Sequence, residues 1–268
     1  MTRLRIPMIA ELPEPEEINL QDLLWAFRSG TLDCVCVLGP TASGKTRYAV
    51  GLARQIAALD ASASPEIISA DSRQVYIGMD IGTGKDLSEY GEIPHHLLDI
   101  LPAGEKYNVY RYQQDFADAY AGVRSRGHLP ILCGGTGLYI EAAALGYDFH
   151  KEEPQVPLSR LPQHTFFIGT LVDRDTRIAR IDARLDARLQ QGMVDEVRGL
   201  MEKGIKPEDL MWYGLEYKFV TQYLTGELSY EQMRFHLANA IHQFAKRQMT
   251  WFRGMERSGI RIYWVKPE

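Results

Sequence analysis

The chain has 268 residues, with 45% hydrophobic and 24% charged side chains and a formal net charge of −5. That balance supports a large buried core and excludes a disordered chain. No apolar run approaches the roughly 18 residues that would span a bilayer, and a negative total speaks against whole-surface attraction to nucleic acid while leaving room for a local basic stripe.

Residues 1–30 read as an N-terminal extension. Pro7, Pro13 and Pro15 stand among acids, the apolar stretch is too broken for a secretory signal, and a short helix is predicted over Ile18–Arg28. DCVCVLG (33–39) has the β-branched character of a buried strand, and a helical pattern follows over Lys45–Leu59. EIISADS (66–72) repeats the strand reading, as does LPILCGG (129–135) after a helix over Val109–Ser125. Gly137–Leu145 reads as helix. Between Tyr147 and His164, Pro154, Pro157 and Pro162 mark a loop. HTFFIGTLV (164–172) is the next strand. A helical block over Thr176–Met201 carries Ile178, Ile181, Leu185 and Leu189 at helical spacing, and a second covers Ser229–Arg257 behind a capping box of Ser229 and Gln232. IRIYWV (260–265) closes the series. Strands alternating with helices predict an α/β fold: a P-loop-type parallel sheet flanked by helices over residues 31–268, with a C-terminal helical portion over 176–257. Cys34, Cys36 and Cys133 lie in the strand-like runs without zinc spacing, which predicts reduced structural thiols and a cytoplasmic location.

Gly39-Pro40-Thr41-Ala42-Ser43-Gly44-Lys45-Thr46 fits the phosphate-loop pattern G-x-x-x-x-G-K-[ST], with a strand before it and a helix after it. Glycines let N–H groups converge on an anion, and the helix N-terminus adds a favourable dipole. Lys45 supplies a cation and the Thr46 hydroxyl can join a Mg²⁺ shell. The pattern identifies a phosphate site without naming the phosphate compound.

Asp71 ends the next strand and belongs near the same crevice, either as a metal-associated carboxylate or as a general base. Gly134-Gly135-Thr136-Gly137 ends another strand in the same way, with a hydroxyl available on Thr136. Arg177, Arg180, Arg184 and Arg188 line one helical face. Arg177 has Asp173 four residues away, but the other three have no acid at helical spacing, which suits a bound diphosphate or a nucleic-acid backbone. Lys246, Arg247, Arg253 and Arg257 form a second basic group beside Trp251 and Phe252, a combination suited to phosphate contact with base stacking or to core packing. His95 and His96 are adjacent in an extended segment, so they point apart and read as structural rather than metal-binding.

Five segments, in order, resemble the tRNA dimethylallyltransferase (isopentenyl-tRNA transferase) family: GPTASGKT (39–46), ISADSRQVYIGMDIGTGK (68–85), IPHHLLDILPAGEKYNVYRYQQDF (93–116), GGTGLYIEA (134–142) and AKRQMTWFR (245–253). The resemblance implies transfer of a dimethylallyl group from dimethylallyl diphosphate, with Mg²⁺, to N6 of adenosine 37 in the anticodon loop of tRNA. It makes Asp71 the base, places the diphosphate against residues 39–46 (Thr41, Lys45 and Thr46 above all) and Arg180, and sets Thr136 at the acceptor base. It brings Asp71, Ser72, Arg73 and Gln74 to the acceptor nucleotide. The reading adds Lys246, Arg247 and Arg253 as contacts to the tRNA backbone.

The chain looks like a short form. The family's helical insertion after the GGTG segment, with its Gln-Arg pair, has only 147–164 in its place. A Gly-Tyr pair reads Gly214-Leu215-Glu216, and a Thr-Arg pair reads Ile241-His242. Three other readings remain open at this stage: the same transfer to a free adenine nucleotide, phosphoryl transfer by a small-molecule kinase with Asp71 and Mg²⁺, and a nonenzymatic RNA-binding relative.

Overall fold

A computed structural model describes residues 12–146 and 156–267. The expectations for residues 1–11, Pro7 included, and for residues 147–155, Pro154 included, lie outside the described residues. In chain order the elements are α1 (Leu20–Arg28), β1 (Cys34–Leu38), α2 (Lys45–Leu59), β2 (Glu66–Ser69), β3 (Tyr76–Ile77), β4 (His95–His96), β5 (Leu101–Pro102), α3 (Val109–Ser125), β6 (Pro130–Gly134), α4 (Gly137–Ala144) and β7 (Thr165–Thr170). Then come α5 (Arg174–Gln190), α6 (Met193–Glu202), α7 (Pro207–Leu210), α8 (Leu215–Leu224), α9 (Tyr230–Arg257) and β8 (Ile262–Val265).

Six strands form one sheet in the order β4-β2-β6-β1-β7-β8, and every neighbouring pair is parallel. All five residues of β1 are buried, as expected for a central strand covered on both faces. Its side chains alternate between two cores. Cys34, Cys36 and Leu38 pack with Tyr112 and Phe116 of α3, Ile140 of α4 and Phe252 of α9. Val35 and Val37 pack on the opposite face with Ile56 of α2 and with Leu23 and Phe27 of α1, so the N-terminal helix is part of the core layer. The three cysteines are free and buried, and burial pushes Cys34 and Cys133 up to about 12, which keeps them inert thiols.

A third core holds the C-terminal helices together with the β3–β5 pair, through Ile181 and Leu185 of α5, Val197 of α6, Tyr217 of α8 and Leu237 of α9. The helical block read over Thr176–Met201 is two helices, because Gly192 takes a left-handed φ of 100° and breaks the run between α5 and α6. Helices α7 and α8, which have weak periodicity, and the short β3–β5 pair were not expected. The Ser229 capping box forms as expected and starts α9.

The carboxyl ends of β1, β2 and β6 lie side by side, and their loops meet there. Close approach is enforced at Gly134, where a Cβ would lie 2.2 Å from the Ala70 carbonyl oxygen at the end of β2.

Candidate active site

A cleft of about 680 Å³ opens where these loops converge. Residues 39–44 turn from β1 into α2, with Ala42 (φ 61°) and Gly44 (φ 80°) in left-handed conformations. Lys45 and Thr46 begin α2, so their N–H groups have no partner within the helix. Thr41, Ala42, Gly44, Lys45 and Thr46 line the cleft. Gly39, Pro40 and Ser43 do not; Gly39 and Ser43 seat the loop on the sheet. The buried Ser43 hydroxyl lies 2.6 Å from Thr170 Oγ1, and a Cβ on Gly39 would lie 2.0 Å from that same oxygen. The first turn of α2 holds Lys45 and Arg47 and no acid. Cations at a helix N-terminus oppose the dipole, so this turn is electrostatically complete only with an anion bound.

Asp71 stands just beyond β2, close enough to act on Lys45, and its Oδ1 accepts the Arg73 N–H at 3.0 Å. Asp71, Arg73 and Gln74 all line the cleft. Ser72 and Thr136 sit beside it: Ser72 N–H donates to Thr136 Oγ1 at 3.2 Å, and Thr136 N–H donates to the Ala70 carbonyl at 3.2 Å. Thr136 therefore ties the β6–α4 turn to the segment that carries Asp71.

Three arginines of α5 enter the cleft, Arg180, Arg184 and Arg188. Arg184 Nη2 donates to the Gly84 carbonyl at 3.1 Å, and Arg188 Nη1 lies 3.4 Å from Glu216 Oε1. Arg180 is exposed and has no hydrogen bond or ion pair among the described residues. Glu216, on α8, is buried and also receives Arg73 Nη1 at 2.7 Å. Burial pushes Arg184 down, and burial with the neighbouring Arg184 charge brings Arg188 down to about 10. Lys45 is likewise lowered by burial, which outweighs the attraction of Asp71. For Arg73, burial opposes the charge, but Glu216 and Asp71 outweigh it and hold the guanidinium firmly protonated. The cleft thus concentrates cations whose charge is only partly compensated, the signature of a site that takes a polyanion.

Three residues outside the expected set build this wall. Glu216 occupies the position where the chain departs from the Gly-Tyr pattern, and it is the shared acceptor for two cleft arginines. Glu196 of α6 accepts the N–H groups of Asp80, Ile81 and Gly82 at 2.8, 2.7 and 2.9 Å, and the Tyr217 hydroxyl at 2.7 Å. It holds the loop after β3, whose buried Lys85 donates to the Tyr76 carbonyl at 2.8 Å and pairs with Asp80 and Asp99. Gln248 of α9 reaches both the residue 39–44 loop and the β6–α4 turn. Its place within AKRQMTWFR was the only signal in the sequence. The partners of Glu196 and Glu216, the N–H groups of Asp80, Ile81 and Gly82 and the Arg73 guanidinium, are remote in sequence, so no local pattern marks them.

The second basic group divides. Lys246 and Arg247 are exposed on α9, with Arg247 5.8 Å from the Phe244 ring centre and Arg73 5.4 Å from the same ring. Arg253 pairs with Glu256 at 2.8 Å and stacks on Trp264 at 5.3 Å. None of the three lines the cleft. Phe252 is fully buried and serves packing, whereas Trp251 lies against Gly137 and stays 42% exposed. His96 Nε2 is 2.6 Å from buried Glu66 Oε2, and His95 packs on Tyr90, as expected for structural histidines. Among the described residues no group of three or more His, Cys, Asp and Glu side chains is arranged to hold a metal ion. Thr46 and Asp71 share the cleft, a sparse oxygen set that suits Mg²⁺ held chiefly by ligand phosphates and water. No helix among the described residues is long and apolar enough to cross a membrane.

A family model described as IPP transferase matches residues 74–163 and 149–255. Its two matches meet at 149–163, within the stretch that stands in place of the insertion. The chain is 47% identical to tRNA dimethylallyltransferase 2 of Porphyromonas gingivalis, over 86% of this chain and 93% of the relative. That alignment runs over 287 positions, more than the 268 residues present here, so the relative carries segments this chain lacks. In structure the chain is similar to the full-length tRNA isopentenylpyrophosphate transferase of Bacillus halodurans, with a TM-score of 0.75, 28% identity, and 87% and 89% of the two chains covered. It is similar also to the tRNA delta(2)-isopentenylpyrophosphate transferase of Staphylococcus epidermidis, with a TM-score of 0.73, 27% identity, and 87% and 92% covered. A kinase and a nonenzymatic RNA-binding protein are both disfavoured by these likenesses. With a cationic phosphate cleft, a carboxylate within it and relatives of this kind over nearly its whole length, the chain belongs to the tRNA dimethylallyltransferase family of prenyltransferases.

Proposed function

We propose that this protein transfers the dimethylallyl group of dimethylallyl diphosphate to N6 of adenosine 37, beside the anticodon of tRNA, and releases diphosphate. The observation that carries the reading is the meeting of Lys45, Arg180, Arg184 and the first turn of α2 with Asp71 in a single cleft. An adenine amine is a weak nucleophile because its lone pair is delocalised into the ring. As N6 bonds to the allylic carbon, the carbon–oxygen bond to diphosphate breaks and the N6 proton passes to Asp71. Negative charge gathers on the leaving oxygen, where Lys45, the N–H groups of Lys45 and Thr46, and the arginines of α5 stabilise it as it develops. Mg²⁺, with Thr46 in its shell, would add neutralising charge to the diphosphate.

Ser72, Arg73 and Gln74 flank Asp71 and suit contacts to the acceptor nucleotide, with Thr136 fixing Ser72. Lys246 and Arg247 suit the tRNA backbone, whereas Arg253, held by Glu256 and Trp264, suits it less. Buried reduced thiols fit a cytoplasmic protein. A free adenine nucleotide as acceptor is the second reading, favoured only by the missing insertion. Incubation with dimethylallyl diphosphate, Mg²⁺ and unmodified tRNA tests the proposal. Prenylated adenosine in the nuclease digest is the expected product, and diphosphate release without modified nucleoside would contradict it.

A further inference from the structure

The Gln248 side chain joins the phosphate loop to the β6–α4 turn. Its Oε1 accepts the Thr41 N–H at 2.8 Å and its Nε2 donates to the Gly135 carbonyl at 2.8 Å. A donor on one side and an acceptor on the other fix the orientation of the amide, and both heteroatoms are satisfied. The residue is buried, and it faces the cleft. The fit is tight: a Cβ on Gly135 would lie 2.5 Å from Nε2, 3.2 Å from the Gly39 carbonyl oxygen and 3.5 Å from Lys45 Cε. Gly135 is therefore small so that three things can meet at one point, the Gln248 amide, the start of the phosphate loop and the Lys45 side chain. The near-isosteric replacements each break this bridge. Asparagine is one methylene too short, glutamate lacks the proton for Gly135, and methionine lacks both bonds.

From this geometry we infer that Gln248 is a positioning residue, which holds the phosphate loop in its binding conformation before the donor arrives. The inference rests on the reading of the cradle as a diphosphate site. The Thr41 N–H, which a free loop would offer to phosphate, is committed to Gln248, so the cradle's backbone N–H contacts to the anion come from the segment after Thr41, while the Thr41 side chain stays available in the cleft. A loop ordered in advance does not lose that freedom on binding, and the gain appears as donor affinity. Because the ordering is the same in the ground and transition states, it moves KM and leaves kcat nearly untouched.

The test compares wild type with Gln248→Met and Gln248→Glu in two assays. Binding of dimethylallyl diphosphate is measured by calorimetry without tRNA, and steady-state tRNA prenylation is followed separately. Loss of two hydrogen bonds should weaken donor binding and raise the donor KM by roughly tenfold, with kcat within about threefold of wild type. Gln248→Glu should bind the donor more weakly than Gln248→Met, since it adds negative charge beside the diphosphate. Circular dichroism checks the fold, and if the methionine variant is unfolded, Gln248→Asn carries the same expectation. Donor affinity unchanged in a folded variant would overturn the inference, as would a collapse of kcat at constant affinity, which would mean that the amide acts on the reacting atoms. If wild type itself binds no dimethylallyl diphosphate, the reading of the cradle fails and this inference falls with it.

Discussion

Lys45 is held at the N-terminus of α2, below its ordinary pKa by burial, against the pull of Asp71. An anion settling beside it favours the charged form, so donor binding raises the Lys45 pKa and draws in a proton at alkaline pH. Calorimetry in buffers of different ionisation enthalpy should therefore show net proton uptake on binding dimethylallyl diphosphate, with affinity falling as pH rises through that range. Proton release would contradict this assignment. Lys45→Ala should lose donor binding and nearly all turnover. Asp71→Asn keeps the shape but removes the proposed proton acceptor, so single-turnover prenylation should slow by ~10²-fold or more while donor affinity changes little. Were donor affinity to collapse and the single-turnover rate to hold, Asp71 would be a metal-associated carboxylate instead.

At the scale of elements, what could be read in advance is what local pattern controls. The continuous apolar run of β1, the glycine-lysine turn into α2 and the Ser229 capping box each carry their own signal over a few residues, and each formed. The single block expected over Thr176–Met201 failed because one left-handed glycine, Gly192, outweighs the apolar spacing on either side. The arginine stripe was visible as unpaired charge, but its partners were not, since Gly84 and Glu216 come from elsewhere in the chain. Glu66, in β2 near the edge of the sheet and far from any sequence signal, is a similar case. Burial pushes its carboxyl up, yet hydrogen bonds from Arg126, His96 and His128 prevail and hold it at about 2, below its ordinary 4.5. A carboxyl depressed by folding contributes stability above its unfolded value, and that contribution disappears as pH falls toward the folded one. Glu66→Gln should therefore be less stable than wild type at neutral pH by on the order of 2 kcal/mol. The difference should shrink as pH falls from about 4.5 toward about 2. Denaturant unfolding across that range gives the answer, and a gap that stays constant with pH would refute it.

The whole molecule carries a net charge of −5 and yet gathers Lys45, Arg73, Arg180, Arg184 and Arg188 around one cleft. Attraction for a polyanion is thus local, and the proposed tRNA contacts outside the cleft are few, Lys246 and Arg247 foremost. Lys246 and Arg247 are exposed on α9, outside the cleft. Their double alanine variant should bind tRNA more weakly, with the log–log salt slope flattened by nearly one unit for each phosphate left without its cation, and should bind dimethylallyl diphosphate as wild type does. Arg180→Ala should do the reverse. A salt slope unchanged in the double variant would place the tRNA elsewhere on the surface. The central claim, that this short chain prenylates tRNA, is tested most directly by competition between acceptors. With saturating dimethylallyl diphosphate and Mg²⁺, initial rates are compared for an unmodified tRNA reading UNN codons, its isolated anticodon stem-loop, AMP and ATP. The account predicts the highest kcat/KM for the tRNA, with the product at adenosine 37. Faster prenylation of AMP or ATP than of either RNA would contradict it.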